Sequence, residues 1–329
     1  MKAGTDYLVN ADAPDYTGTV RFNYNWITAE VLADSMHFLG LLQHKPETWM
    51  VLDTFSDAQL RQLKKRIQLL NENFHTIEYS RGKLTWTSST SQSKHVHIQI
   101  SPEYRAAHGA GFSQGLAIKV RSKLQRQTQY NILGMIPGTK QPDYYLVLTA
   151  HYDHLGRMGK TAVFPGANDN AAGVAMMLDL ARYYAKNPLP FSVVFIAFAG
   201  EETGLLGSGH FVTRPLIPLH RMRFLVNLDL VGTGETGMTV VNATVFSEEF
   251  ALLDSLNRKG NYLPDIGKRG KAANSDHYFF TEAGVPAFFW YQKGPRTSYH
   301  DVQDVPETLS LAGYNGTFKL LLRFFSTLQ

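Results

Sequence analysis

The second half of this 329-residue chain alternates between short apolar segments and longer segments with helical spacing. From Asn131 onward, strand, loop and helix follow one another repeatedly, which is typical of a mostly parallel sheet covered by helices on both faces. The predicted strands are residues 144–150, 191–198, 223–230, 238–242 and 286–291. The predicted helices are residues 171–186, 202–212, 248–258, 276–283 and 306–328. The sequence therefore predicts an α/β fold with a mixed, mostly parallel sheet between two layers of helices.

The first half of the chain has a different pattern. Residues 28–42 and 56–74 have apolar spacing near the helical period, and Ser56 is suited to cap the second helix. Residues 83–87, 95–100 and 116–120 alternate like short strands, and residues 105–114 resemble a glycine-rich connection. We predict an N-terminal region at 1–114, packed on or inserted into a domain at 115–329, unless 1–329 is one continuous domain. Residues 43–114 contain no motif that assigns them a role.

Composition excludes several classes of protein. The chain has no cysteine, so disulfides, thiolate metal sites and cysteine nucleophiles are excluded. A net charge of +4 is a weak basic bias, and we expect no nucleic-acid partner. No apolar run reaches the roughly twenty residues that span a bilayer, and the first residues do not resemble a signal peptide. We therefore expect a soluble protein, extracytoplasmic or secreted if a signal peptide was removed and cytoplasmic otherwise.

Side chains that can bind metal follow several of the predicted strands. In open α/β sheets, ligands gather beyond the carboxyl ends of the strands, so these side chains are expected to meet at one edge. A further carboxylate precedes the helix at 171–186, on the same side of the sheet. The candidates, in chain order, are His151, Asp153, Asp169, Glu201, Glu202, Asp229 and His300.

Each of these residues also has an ordinary structural interpretation. Asp169 could cap a helix, Glu201 and Glu202 could complement a helix dipole, and a lone histidine is more often structural than a ligand. Asp229 is harder to explain in this way, because a charged carboxylate within an apolar strand is costly unless it is paired or bound to metal. The coincidence of all of them at one sheet edge favours a metal site.

The chemistry of the set is that of a two-metal hydrolase. Two divalent ions about 3.5 to 4 Å apart can activate a bridging water and polarise a carbonyl, and they need one shared carboxylate. Imidazole and carboxylate ligands without thiolates suit catalytic zinc. Glu201 would then be free to take a proton from the metal-bridged water. Asp153 is placed to hold the second ring nitrogen of His151.

The chain resembles the M28 family of zinc aminopeptidases from about Asn131 to its end. The family-like blocks begin at Ala150 (AHYDH), Gly166 (GANDNAAG), Gly200 (GEETGLLG), Asn227 (NLD), Ser275 (SDH) and Tyr299 (YH). The resemblance implies a zinc-exopeptidase fold and a catalytic domain that acts on peptides with a free N-terminus. It also implies two zinc ions, one held by Asp169, Glu202 and His300 and the other by His151, Asp169 and Asp229.

The same resemblance assigns further roles within the site. Asp169 would bridge the two ions, and the peptide bond after it would be cis. Glu201 would be the general base and later the acid that protonates the leaving amine. Asp153 would orient His151. The side-chain specificity, the oligomeric state and the native compartment do not follow from these motifs.

Three other functions fit parts of the pattern. Glutaminyl cyclases share this fold and most ligand positions but use one zinc, although the glycine-rich blocks favour the peptidase. Non-catalytic ectodomains of this fold, such as those of transferrin receptors, lose ligands that this chain keeps. A carboxypeptidase would need a basic clamp for the substrate carboxylate, for which Arg269, Lys293 and Arg296 are loose candidates.

Overall fold

The computed structural model describes residues 1–20, 26–109 and 115–328. The sixteen strands formed by these residues are β1 (Tyr7–Val9), β2 (Tyr16–Val20), β3 (Trp26–Ile27), β4 (Trp49–Leu52), β5 (His75–Tyr79), β6 (His97–Ile100), β7 (Leu116–Val120), β8 (Ile132–Ile136), β9 (Gln141–His151), β10 (Gly156–Met158), β11 (Ala162–Phe164), β12 (Phe191–Phe198), β13 (Met222–Leu228), β14 (Gly237–Val241), β15 (Ile266–Lys268) and β16 (Ala287–Lys293). Their nine α-helices are α1 (Ala29–Ala33), α2 (Ser35–Leu41), α3 (Asp57–Asn73), α4 (Pro102–His108), α5 (Ala172–Lys186), α6 (Leu206–Thr213), α7 (Ser247–Gly260), α8 (His277–Glu282) and α9 (Tyr314–Thr327).

Contacts between residues divide the chain into two compact units. The first unit comprises Met1–Gln127, Gly156–Phe164 and His300–Val302, and the second comprises Thr128–Leu155, Pro165–Tyr299 and Gln303–Gln329. Two short segments from beyond residue 131 thus belong to the first unit. The division into residues 1–114 and 115–329 stays a prediction of domain organisation.

The second unit is built on a seven-stranded sheet in the order β15-β14-β16-β13-β9-β12-β8. Four neighbouring pairs are parallel, and only β14–β16 and β12–β8 are antiparallel. Helices cover both faces: Leu146 and Leu148 of β9 share a core with α5, α7 and α9, whereas Val147 shares one with α6 and α8. This arrangement confirms the predicted α/β fold with a mixed, mostly parallel sheet.

Several predicted elements of the second unit need correction. The helix predicted at 202–212 begins only at Leu206, so Glu201 and Glu202 lie in a turn and do not open a helix. The segment predicted as one helix at 306–328 consists of a short 3-10 helix, Pro306–Thr308, followed by α9. The strand at 191–198 has the predicted bounds. Edge strands β8 and β15 were not predicted; Gly134 interrupts β8, and β15 has only three residues.

The first unit contains a five-stranded sheet in the order β1-β6-β5-β4-β3, and two antiparallel pairs, β2–β7 and β10–β11. Ser56 caps α3 as predicted: its side chain accepts the N–H of Gln59, whose side chain accepts the N–H of Ser56 in return. The helix predicted at 28–42 is interrupted at Asp34, which caps α2.

Two other predictions for the first unit need correction. The strand predicted at 83–87 is wrong, because these residues form no regular element. The connection predicted at 105–114 is helical in α4 up to His108, and its residues 110–114 lie outside the described part of the chain. No helix of the described residues is long and apolar enough to cross a membrane.

Three histidines lie together in the first unit. The ring centroids of His75 and His95 are 5.2 Å apart, and His75 stacks on Trp49 at 4.9 Å. Nδ1 of His75 accepts the N–H of Val96 at 2.8 Å, so this nitrogen is unprotonated. Burial lowers the pKa of His75 to about 4, and the charge of His95 adds to this effect. Burial also lowers the pKa of His97 to about 4.

We expect acid to destabilise the first unit through these histidines. An unfolded histidine has a pKa of about 6.5. The unfolded chain therefore binds more protons than the folded one between about pH 6.5 and about pH 4, and the free energy of unfolding falls as the pH falls through this range. We expect the free energy of unfolding to fall by on the order of 2 kcal/mol across this pH range. Unfolding followed by tryptophan fluorescence measures it, because Trp26, Trp49 and Trp86 belong to this unit.

Two variants test the origin of this acid sensitivity. Substituting His75→Asn retains an acceptor for the N–H of Val96 but removes the titrating ring, and it should flatten the pH dependence. His44 is exposed, so His44→Gln should leave the dependence unchanged. An unfolding free energy that does not vary between neutral pH and about pH 4 would contradict the expectation.

Candidate metal centre

Three neighbouring parallel strands end at the candidate site. His151 is the last residue of β9, Asp229 directly follows β13, and Glu201 and Glu202 lie in the turn between β12 and α6. Because β13, β9 and β12 are adjacent and parallel, their carboxyl ends share one edge of the sheet. The predicted convergence of these side chains is therefore present within the second unit.

The side chains approach one another closely. Nε2 of His151 lies 3.2 Å from Oδ1 of Asp169 and 3.4 Å from Oδ1 of Asp229. His151, Asp169 and Glu202 form one group whose ligand atoms lie within 4.8 Å of one another, and His151, Glu201 and Asp229 form another. His151 is shared by the two groups.

Asp169 lies in an irregular turn before α5. Its backbone is not helical, with φ −115° and ψ 84°, and the peptide bond from Asp169 to Asn170 is cis, as the resemblance implied. Helix α5 starts at Ala172, with Ala171 in the capping position, so Asp169 is not the helix cap. Its carboxylate is therefore available for the site.

The side chain of Asn170 joins this turn to the end of β13. Its Nδ2 donates to the carbonyl of Leu228 at 2.9 Å, and its Oδ1 accepts the N–H of Gly173 at 3.1 Å. A Cβ on Gly173 would lie 2.2 Å from Oδ1 of Asn170 and 2.6 Å from the carbonyl oxygen of Leu228, so only glycine fits. The segments that carry Asp169 and Asp229 are thus fastened together by hydrogen bonds.

Asp229 is held by a chain of buried hydrogen bonds. Oγ of Ser275 donates to Oδ2 of Asp229 at 2.7 Å, and Nδ2 of Asn227 donates to Oγ of Ser275 at 2.7 Å. Thr149 donates in turn to Oδ1 of Asn227 at 2.6 Å. Each hydrogen bond fixes the next group, so Oδ2 of Asp229 is occupied and Oδ1 faces His151.

Asp153 contacts the site in a different way from the expected one. Its carboxylate accepts the backbone N–H groups of Glu201 and Glu202, each at 3.2 Å. Nδ1 of His151 lies 3.1 Å from the backbone carbonyl oxygen of Asp153 and 3.8 Å from its carboxylate. Asp153 thus supports the turn that carries the two glutamates, and its main chain is the group nearest to the ring nitrogen.

One further histidine contacts a candidate ligand, and another predicted ligand belongs to the other unit. Nδ1 of His154 lies 2.6 Å from Oε1 of Glu202, a contact that no sequence motif indicates. His300 belongs to the first unit and has a left-handed backbone conformation, with φ 52°. It is in neither of the two groups of possible ligands found among the described residues, and its role as a ligand stays a prediction.

The proximity of so many carboxylates changes the pKa values in the metal-free site. Burial raises the pKa of Glu201 to about 9; His151 opposes the rise, and Asp229 adds to it. Burial alone would lower the pKa of His151, but Asp229 and Asp169 raise it well above its usual range. Burial also raises the pKa of the Tyr299 phenol, and the nearby charge of Asp169 contributes. Without a cation, the site therefore favours protonated groups and resists further negative charge.

The residues present fit a divalent metal. Nε2 of His151 and Oδ1 of Asp229 are buried and have no hydrogen-bond partner among the described atoms, an arrangement that is costly without a ligand. The available donors are imidazole nitrogen and carboxylate oxygen, the set that suits zinc in catalytic sites.

The sequence model of peptidase family M28 matches residues 131–325. Aminopeptidase YwaD of Bacillus subtilis (strain 168) is 34% identical over 194 residues, which are 56% of this chain and 41% of that protein. The chain thus spans less than half the length of this curated relative.

Solved structures share the fold. BSAP, a zinc aminopeptidase from Bacillus subtilis, matches with a TM-score of 0.69 at 21% identity. The match covers 98% of this chain and 78% of the BSAP chain. An Acidobacteriales bacterium glutaminyl cyclase matches with a TM-score of 0.53 at 20% identity. This match covers 60% of this chain and 73% of the cyclase chain. At these identities both likenesses show the fold alone.

Proposed function

Because this chain belongs to peptidase family M28, we propose that it is a zinc-dependent aminopeptidase that removes residues from the free amino end of peptides. The observation that carries the proposal is the approach of His151 Nε2 to the carboxylates of Asp169 and Asp229, at 3.2 and 3.4 Å. One imidazole between two carboxylates from different segments, with two glutamates beside it, is a ligand set for which a structural role is difficult to find.

The proposed ligands form two overlapping sets. Asp169 would be shared between two ions, with His151 and Asp229 on one and Glu202 on the other. His300 completes the second set by the family resemblance, and this assignment stays a prediction. Bound divalent ions supply Lewis-acid polarisation of the scissile carbonyl and of water.

Proton transfer is assigned to Glu201. It takes a proton from the attacking water and delivers it to the nitrogen of the leaving amine, so that the peptide bond breaks without releasing an unstable amide anion. The hydrogen bond from the N–H of Glu201 to Asp153 fixes the backbone of this residue. A fixed backbone limits the positions that the Glu201 carboxylate can reach, which favours orientation of the catalytic group.

The charge of the site favours the amino end of the substrate. Its ionisable side chains are mainly carboxylates, which attract an ammonium group and repel a carboxylate. Two of the three basic residues considered for a carboxypeptidase clamp have acidic partners: Lys293 donates to Asp265 at 2.7 Å, and Arg296 lies 3.6 Å from Asp304. A carboxypeptidase is therefore the weaker interpretation.

A substrate panel tests the proposal directly. We expect purified protein with added zinc to hydrolyse aminoacyl amides and unblocked peptides, and to be inactive on the same peptides after N-acetylation. A chelator should abolish turnover, and zinc should restore it. Normal cleavage of the N-acetylated peptides would reject the exopeptidase assignment. Ring closure of an N-terminal glutamine with one bound zinc per chain would instead support the glutaminyl cyclase alternative.

A further inference from the structure

Asp304 is a buried carboxylate directly behind the turn that carries Asp169. Its side chain is completely buried, and it belongs to the same unit as the candidate site. Its Oδ1 accepts the N–H of Asn168 at 2.9 Å, and its Oδ2 accepts the N–H of Asp169 at 3.1 Å. The carbonyl oxygen of Asp304 also accepts the N–H of Ala167 at 3.1 Å. One residue therefore binds three successive backbone amides.

A buried carboxylate is costly unless hydrogen bonds and an opposite charge compensate for its desolvation. The backbone N–H groups supply the hydrogen bonds, and Arg296, itself nearly buried, lies 3.6 Å from Oδ1. A carboxylate is the side chain suited to this place, since both of its oxygens only accept hydrogen bonds. An amide would turn an NH₂ group toward the N–H of Asn168 or Asp169.

The other side of the turn is also fixed. Oδ1 of Asn168 accepts the N–H of Gly232 at 2.8 Å, and Nδ2 of Asn170 donates to the carbonyl of Leu228, so both neighbours of Asp169 are attached to the end of β13 and the loop that follows it. Asp304 accepts the backbone N–H groups of this turn, and the side chains of the two asparagines bind the end of β13 and the loop after it. The carboxylate of Asp169 is left to project toward His151.

We propose that Asp304 is a positioning residue that fixes the backbone of Asp169 and thereby sets the affinity and geometry of the metal site. This inference rests on the proposed function, because it requires Asp169 to bind metal. Outer partners of metal ligands typically change metal affinity by about 10- to 100-fold when they are removed. Asp304 differs from such partners because it binds the backbone N–H of Asp169 and not the carboxylate that would bind the metal.

The test compares Asp304→Asn with the same substitution at a half-exposed carboxylate of the same unit. Asp179 accepts a hydrogen bond from Tyr314 at 2.9 Å in the same unit, away from the metal ligands, and Asp179→Asn is the control. We expect Asp304→Asn to weaken zinc binding by about 10-fold or more in a chelator competition, and to change the visible absorption of the cobalt-loaded protein. Raising the zinc concentration should recover part of its turnover. The control should bind zinc and cobalt as the unaltered protein does.

Arg296→Gln separates positioning from stability. This variant removes the opposite charge but leaves the three acceptor contacts of Asp304, so it should lower Tm with little effect on zinc affinity. If zinc affinity falls in proportion to Tm in both Asp304→Asn and Arg296→Gln, Asp304 acts only through stability and the proposal is overturned.

Hydrogen exchange provides a measurement on the unaltered protein, which matters if Asp304→Asn does not fold. The amides of Asn168 and Asp169 should exchange slowly in the metal-free protein, because Asp304 already holds them. Rapid exchange without metal would show that Asp304 does not fix the turn, and would overturn the proposal.

The outcomes also distinguish this inference from the proposed function. If the unaltered protein cleaves free-amine peptides and Asp304→Asn binds zinc with unchanged affinity, only the role of Asp304 is rejected. If the unaltered protein binds zinc but cleaves none of the peptides, and Asp304→Asn loses zinc affinity, the positioning role stands and the aminopeptidase assignment is rejected.

Discussion

Glu201→Gln is expected to lower kcat by roughly 1,000-fold, within the range usual for the loss of a general base, and to leave zinc binding unchanged. The amide has the shape of the carboxylate but cannot accept the proton of the attacking water at neutral pH. The backbone N–H of Glu201 would still donate to Asp153, so the turn and the neighbouring Glu202 should keep their positions.

Steady-state kinetics and a zinc titration of the same samples measure the two expectations separately. Glu282→Gln is a suitable control, because Glu282 is a half-exposed carboxylate paired with Lys271 at the end of α8. Its turnover should match that of the unaltered protein. Turnover above about a tenth of the original rate in Glu201→Gln would reject the assignment of the base.

Asp169→Asn should have the second large effect, on metal binding itself. In the proposed arrangement, the ligand shared by two ions would lose one negative charge in this variant, so we expect zinc affinity to fall by more than about 100-fold, beyond what the loss of an outer partner does. Zinc at about 100 times its Kd should stabilise the unaltered protein by ~2.7 kcal/mol, and this stabilisation should disappear in the variant.

Thermal unfolding with and without zinc measures this difference. The Asp179→Asn variant should keep the increase of Tm on addition of zinc, because Asp179 bonds to Tyr314 and Arg182 on an exposed part of α5. If Asp169→Asn retains the full increase, Asp169 is not a metal ligand, and the two-ion arrangement must be abandoned.

The sequence predicted the central part of the fold because buried parallel strands carry a strong local pattern. Strand β12 is buried at all eight residues, and the run of apolar side chains defines its bounds. The edge strand β8 is also apolar in sequence, but Gly134 interrupts it and its residues are half-exposed or exposed. The break between α1 and α2 depends on one capping residue, Asp34, within an otherwise continuous helical period. Local periodicity could not indicate either feature.

The site was predictable to the extent that topology determines it. His151, Glu201 and Asp229 lie at or just after the ends of adjacent parallel strands, and their meeting is a consequence of strand order. The hydrogen bonds that hold these residues depend on contacts between distant segments. Nothing in the local sequence around Asp304 indicates that it binds the amides of residues 167–169, which precede it by more than a hundred positions.

The interleaving of the two units along the sequence limits how this chain could be shortened. Excising residues 131–325, the part that matches the peptidase family, would retain the β10–β11 hairpin but remove its partners. Phe164 would lose the ring of Trp86, which stacks on it at 4.8 Å, and Met158 would lose the N–H of Val9. An uncovered aromatic hairpin promotes aggregation. A minimal version of this protein therefore requires a redesigned loop between Leu155 and Pro165 as well as a new amino terminus.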